Sequence, residues 1–277
     1  MAKNRAEEVQ MQRSFQNDKV TVNKMANEAK KQTSILVNNV DHVLAIQDTT
    51  EFNFNHRLNE IEDLGVIKNG KSIGLFLHPV IATDANDNFV YGLAANPKMW
   101  SWDADRVRKT AAERSATSLE DRESYRWIEG PLQAKAVLSG AKHVTFISDR
   151  ESDMYKIFDR VVDEKHDVLV RAKSNRMVLS AENTLVKFDD FVMGLPVAGT
   201  KEIFLSARSA NENRKTKKAD ACIAKKSSVR EERFAIVKIR FSPIEIPKPL
   251  KVPSNRNSIW LTVVDVLESS KKIKGLT

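Results

Sequence analysis

The sequence predicts an α/β fold, a mixed sheet of antiparallel and parallel strands joined to a β-rich subdomain. Three observations carry this. Between residues 41 and 179 the pattern runs strand, two hairpin strands, helix, strand, helix, strand, an order that gives antiparallel neighbours first and parallel ones later. After residue 180 helical periodicity disappears and alternating strands take over. Apolar residues make up 41% of the 277, enough for a sizeable core.

The elements follow in chain order. Residues 1–40 are polar and read as helical; MANEAKKQTSILVNNV fits one amphipathic helix ending at Asn38 and Asn39. HVLAIQDTTEF (42–52) is a short apolar strand that runs into Asp48, Thr49 and Thr50. SIGLFLHPVIATDA (72–85) is a second strand interrupted by Pro79, and FVYGLAAN (89–96) a third; TDANDN between them is a turn signal, which makes them a hairpin. SYRWIEGPLQAKAVLSG (124–140) reads as a helix broken or started near Gly130–Pro131 and stopped at Gly140. HVTFIS (143–148) is a compact strand. DMYKIFDRVV (153–162) sets Met154, Ile157, Phe158, Val161 and Val162 on one helical face, and DVLVRAKS (167–174) is a strand. Beyond it KEIFLSAR, RFAIVKIRF and SIWLTVVDV alternate as strands, linked by polar segments such as NENRKTKKAD.

Charge is uneven. Residues 201–277 hold 18 Lys and Arg against 8 Asp and Glu, a net +10, whereas residues 1–200 hold 27 against 29, a net −2. A basic segment beside a near-neutral one suggests a polyanion partner, most simply nucleic acid; a solvated Lys-rich surface is the plainer account. Cys222 is the sole cysteine, and the five histidines show no HxxxH spacing, so no zinc site is expected. No apolar run approaches the ~20 residues that span a bilayer, and the polar N-terminus lacks a secretory h-region, so a cytosolic protein without membrane partners is expected.

Two carboxylates sit at strand ends: Asp48 after VLAIQ and Asp149 after TFIS. Strand ends lie near the crevices where α/β proteins bind ligands. Carboxylates brought together there oppose one another's ionisation, and a divalent cation, Mg²⁺ or Mn²⁺ for hard oxygen ligands, removes that penalty. Taken alone, an Asp at a strand end followed by Thr-Thr, as Asp48 is, is more often a turn or helix cap. Glu151 and Asp153 have their own account, as first-turn residues of the 153–162 helix facing its dipole. Arg150 is placed to pair with a neighbouring carboxylate.

AIQDTTEFNFNH, SDRESDMYKIF, VLVRAKSNR and IWLTVVD, in that order, resemble the insertion-sequence transposases of the Asp-Asp-Glu type, in the branch with a β-strand insertion inside an RNase H-like catalytic domain. The likeness runs from about Leu44 to about Leu267. It implies a helical N-terminal remnant (1–40), part of an RNase H-like core (41–179), a β-rich insertion (180–265) and a truncated tail (266–277). It also implies that Asp48 and Asp149 are the first two catalytic aspartates and ligands of Mg²⁺ or Mn²⁺. In the implied reaction water cleaves a phosphodiester at a transposon end, and the freed 3′-hydroxyl then attacks DNA in hairpin formation and strand transfer. Trp260 matches a tryptophan that stacks on a flipped base, and Arg171 and Lys173 match positions that contact the DNA backbone. Without the resemblance, Trp260 reads equally as a core aromatic, and Arg171 and Lys173 as a solvated strand end. The implied partners are DNA and a further copy of the chain or an intact transposase; the implied location is the bacterial cytoplasm, on the nucleoid when DNA is bound.

The third family carboxylate, a glutamate in Tyr-x-x-Arg-x-x-x-Glu, has no counterpart after Trp260. REERF (230–234) precedes Trp260, and Glu245 and Glu268 lack the surrounding motif. The expectation is therefore a C-terminally truncated transposase, weakly active or inactive. The alternative is a DNA-binding remnant without catalysis that interferes with an intact transposase. A metal-dependent nuclease of another kind is a third reading, since one fold hosts many activities.

Overall fold

The computed structural model describes residues 4–57, 64–67, 72–105, 110–180, 183–207, 231–250 and 252–269. The NENRKTKKAD link and residues 270–277 of the expected tail lie outside them. The backbone forms two compact units, residues 1–174 with 249–254, and residues 175–248 with 255–277. Both mix helices and strands, so the chain is α/β. Among the described residues no helix is long and apolar enough to cross a membrane.

The first unit opens with α1 (Arg5–Phe15), capped by the Asn4 side chain, and α2 (Val22–Leu36), capped by Thr21. The expected single helix thus starts earlier, where Thr21 accepts from the Lys24 N–H, and stops before Asn39, whose φ of 61° is left-handed. The strands are β1 (His42–Gln47), β2 (Thr50–Asn53), β3 (Val66–Ile67), β4 (Ser72–His78), β5 (Val80–Asp84), β6 (Val90–Leu93) and β7 (Lys98–Trp100). After them come α3 (Ala111–Ala116), α4 (Arg126–Val137), β8 (His143–Ser148), α5 (Tyr155–Val161) and β9 (His166–Val170).

Five of these strands form a sheet in the order β6–β5–β1–β8–β9. On one side of β1 the neighbours are antiparallel, on the other parallel. A second sheet takes β2–β4–β3, with β7 also on β4. The two sheets share one bent hairpin: β1 pairs with β5 as far as Gln47–Val80, and β2 resumes against β4 at Thr50–Leu77. Asp48 and Thr49 therefore occupy the bend opposite His78 and Pro79. Pro79 has no N–H to give the ladder, which is why pairing breaks there.

One face of the first sheet carries the core. Val43, Ala45, Val144 and Phe146 are buried, beneath Trp127, Ile128 and Ala134 of α4 and Ile157, Phe158 and Val161 of α5. α4 lies so close that a Cβ on Gly130 would stand 2.8 Å from Val80 Cγ2. The helix does not break at Pro131, contrary to the sequence expectation; Pro131 sits inside α4. A proline there leaves the carbonyl four residues back, Trp127, without its helical donor. The Gln47 side-chain amide of β1 supplies one, at 3.2 Å.

The second unit is antiparallel: β10 (Met177–Leu179), β11 (Leu185–Lys187), β12 (Gly199–Leu205), β13 (Arg233–Pro247) and β14 (Ser258–Glu268), in the order β11–β10–β13–β12 with β14 also on β13. The helix α6 (Phe188–Gly194) interrupts the expected run of strands; at 7 residues it is too short to show a helical period in the sequence. β13 continues past Phe241 through Pro243. At that point it lies between the stretches paired with β12 and with β10, so only β14 requires its backbone. The β12 end of β13 buries Ala235 and Val237, and the β10 end buries Ile244 and Ile246, on the opposite face by alternation.

Candidate active site

β1 and β8 are neighbouring parallel strands, in register through Ile46 and Ile147. Two residues further on, Asp48 and Asp149 leave the carboxyl ends of the two strands side by side, and adjacent strands lie about 4.8 Å apart. Both aspartates are exposed. Each spends one oxygen locally: Asp48 Oδ1 accepts from the Thr49 N–H at 2.7 Å, and Asp149 Oδ1 from the Glu151 N–H at 2.7 Å, opening the short 3₁₀ turn Arg150–Ser152. The second oxygen of each has no hydrogen bond among the described residues. The turn or helix cap expected at Asp48 is not formed: β2 opens at Thr50, and among the described residues Asp48 holds only the adjacent Thr49 N–H.

The expected dipole account of Glu151 and Asp153 does not hold, because α5 begins only at Tyr155 and has no acidic residue in its first turn. Glu151 instead forms an ion pair with Arg126, at 2.9 Å. Asp153 Oδ2 accepts from the backbone N–H groups of Lys173 and Ser174, at 2.7 and 2.9 Å, tying the exit of β9 to the exit of β8. Arg150, expected to pair with a carboxylate, is exposed and forms no ion pair among the described residues. Arg171 and Lys173 are exposed in the segment after β9, in the same unit as the aspartates. Trp260 belongs to the second unit. It stands on β14 opposite Glu245 and is 65% exposed, so it is no core aromatic.

Behind the aspartates lies a polar network the sequence did not announce. Gln47, His78 and Arg126 are all buried. Gln47 Nε2 donates to the Trp127 carbonyl, so its Oε1 faces His78 Nε2 at 3.2 Å and must accept from it. His78 Nδ1 is then the acceptor and takes the Thr49 hydroxyl proton at 2.9 Å, and Arg126 Nε donates to Thr49 Oγ1 at 3.2 Å. A neutral His78 is consistent with its surroundings. Burial first, and then the positive charges of Arg126 and Lys98, lower its pKa to about 4. Its ring also stands edge-on to Trp127, with centroids 4.6 Å apart.

Arg126 is the first residue of α4. Its guanidinium lies 5.1 Å from the Trp100 ring centroid and 5.2 Å from that of Trp127. Burial pulls its pKa down, and the carboxylates of Glu123, Glu151, Asp149 and Asp48 push it back up. The signal that could have found Gln47 is simple: it is a polar residue at the inward position after Val43 and Ala45. His78 follows Gly74 and Phe76 in the same way. Arg126 carries no such mark.

Hard carboxylate oxygens at two adjacent strand ends suit Mg²⁺ or Mn²⁺, since Mg²⁺ is commonly held by one or two carboxylates, waters and substrate phosphates. Among the described residues no group of three or more His, Cys, Asp and Glu is arranged to hold a metal ion. No protein-family model matches the chain, and no curated protein matches it.

Proposed function

We propose that the chain is a DNA-processing protein of the Asp-Asp-Glu transposase type, with Asp48 and Asp149 as its metal-holding carboxylates. The observation that carries this is their in-register position at the carboxyl ends of neighbouring parallel strands. The sheet supports it: antiparallel on one side of β1 and parallel on the other, as an RNase H-like core requires. A bound divalent ion would supply a nucleophile from water and Lewis-acid stabilisation at a phosphodiester. The chain's own residues do the rest. Asp48 and Asp149 present free oxygens on one side, held by the Thr49 and Glu151 amides. Arg171 and Lys173 offer positive charge to a DNA backbone from the neighbouring strand exit, and Trp260 offers an exposed aromatic face on which an unstacked base can lie.

A second reading, favoured by the lack of a third carboxylate beside the pair among the described residues, is DNA binding without cleavage and interference with an intact transposase. One experiment separates them. Plasmid DNA carrying the sequences that flank the gene is incubated with purified protein and Mg²⁺ or Mn²⁺. Nicking that disappears in Asp48→Ala and in Asp149→Ala is the expected result. Salt-sensitive binding with no metal-dependent nicking supports the second reading, and neither binding nor nicking overturns both.

A further inference from the structure

We propose that Arg126 is the positioning residue of the aspartate pair, bridging the turns that carry Asp48 and Asp149. Its three guanidinium nitrogens point to three places: Nε to Thr49 Oγ1 at 3.2 Å, one terminal nitrogen to the Glu123 carbonyl at 2.9 Å, and the other to Glu151 Oε2 at 2.9 Å. Thr49 follows Asp48 directly, and its N–H holds the Asp48 carboxylate. Glu151 holds Asp149 in the same manner, through its own N–H. A single rigid plane thus joins the residue that caps one aspartate to the residue that caps the other. The guanidinium lies over the Trp100 and Trp127 rings, and its charge interacts with both aspartates.

Shape and charge make opposite predictions here. If Arg126 acted only as a charge, its loss would relieve competition with a metal cation and tighten metal binding. If it positions the pair, loss of the fork loosens both caps and weakens binding, although a positive charge has gone. Lysine keeps the charge and cannot make the three-way bridge.

The consequence for metal binding rests on the Asp48–Asp149 reading, so the test has one arm without metal. In metal-free protein, amide hydrogen exchange at Thr49 and Glu151 is expected to speed up at least tenfold in Arg126→Lys, with Ala45 and Phe146 in the strand interiors unchanged. In the second arm Mn²⁺ affinity, read by electron paramagnetic resonance, is expected to fall by about tenfold or more in Arg126→Lys and Arg126→Met, the usual range for groups that orient metal ligands. Unchanged exchange at both amides overturns the proposal, as does tighter Mn²⁺ binding in the Met variant. Wild-type protein that binds no Mn²⁺ removes the metal reading and leaves the exchange arm to decide on Arg126. Should the Arg126 variants fail to fold, Glu151→Ala cuts one arm of the bridge at a half-exposed side chain. It must then speed exchange at residue 151 and weaken Mn²⁺ binding, or the bridge has no positioning role.

Discussion

The two faces of the sheet β6–β5–β1–β8–β9 are made from the same strands and end up unlike. On one, Val43, Ala45, Val144 and Phe146 disappear beneath α4 and α5. On the other, a register row crosses all five strands, Leu93–Ile81–Ile46–Ile147–Leu169. Its members are apolar, yet Ile46 is 40% and Leu169 58% exposed. Alternation carries Asp48 and Asp149 to the same side as Ile46 and Ile147. The covered face therefore holds the fold, and the open face borders the carboxylates. Burial on one side fixes the register, and that register sets the two aspartates beside each other on the other side.

Substitutions on the two faces should differ accordingly. The largest loss is expected for Phe146→Ala, about 3–5 kcal/mol for emptying a fully buried aromatic site, read from urea denaturation. Next comes the buried edge at the hairpin bend. The pKa of His78 is lowered to about 4 in the folded chain against 6.5 for the free side chain. The unfolded chain then takes up the proton first, so stability is full above pH 6.5 and is lost as pH falls toward 4. The loss is on the order of 3 kcal/mol. Denaturation midpoints across that pH window should show the slope in wild type and a flatter profile in His78→Phe. Gln47→Leu comes third. It leaves the Trp127 carbonyl and the His78 N–H without partners at a cost of about 2 kcal/mol by the same denaturation measurement. At the open face Leu169→Lys should change stability by no more than about 0.5 kcal/mol. If Leu169→Lys destabilised as strongly as Phe146→Ala, the distinction between the faces would be wrong.

Much of this was legible. Strands such as HVLAIQ and HVTFIS ended so abruptly in acid that Asp48 and Asp149 stood out, and their apolar content marked them as core strands. Helix α5 was legible from its apolar spacing, though not its start, because Met154 fits that spacing yet is the extended N-cap residue, with φ −131° and ψ 143°. What stayed hidden depends on partners distant in sequence. Pro131 looks like a helix breaker until Gln47, 84 positions before it, is seen at the Trp127 carbonyl. Pro243 looks like a strand end until β13 is seen to lack a second neighbour there. Arg126 lies in an ordinary helical stretch, and only tertiary structure brings Thr49 and Glu151 to it. Trp260 was equally consistent with core or surface because β14 alternates on a ribbon whose buried side changes along its length.

Pro131 links two positions that share no contact in sequence. A helix ordinarily keeps its own carbonyls occupied, and here one is lent to the sheet, so the residues at 47 and 131 are expected to drift as a pair over generations. A descendant that regains an amide hydrogen at 131 no longer needs the Gln47 donor at the Trp127 carbonyl, and position 47 is then left with the His78 N–H alone to satisfy.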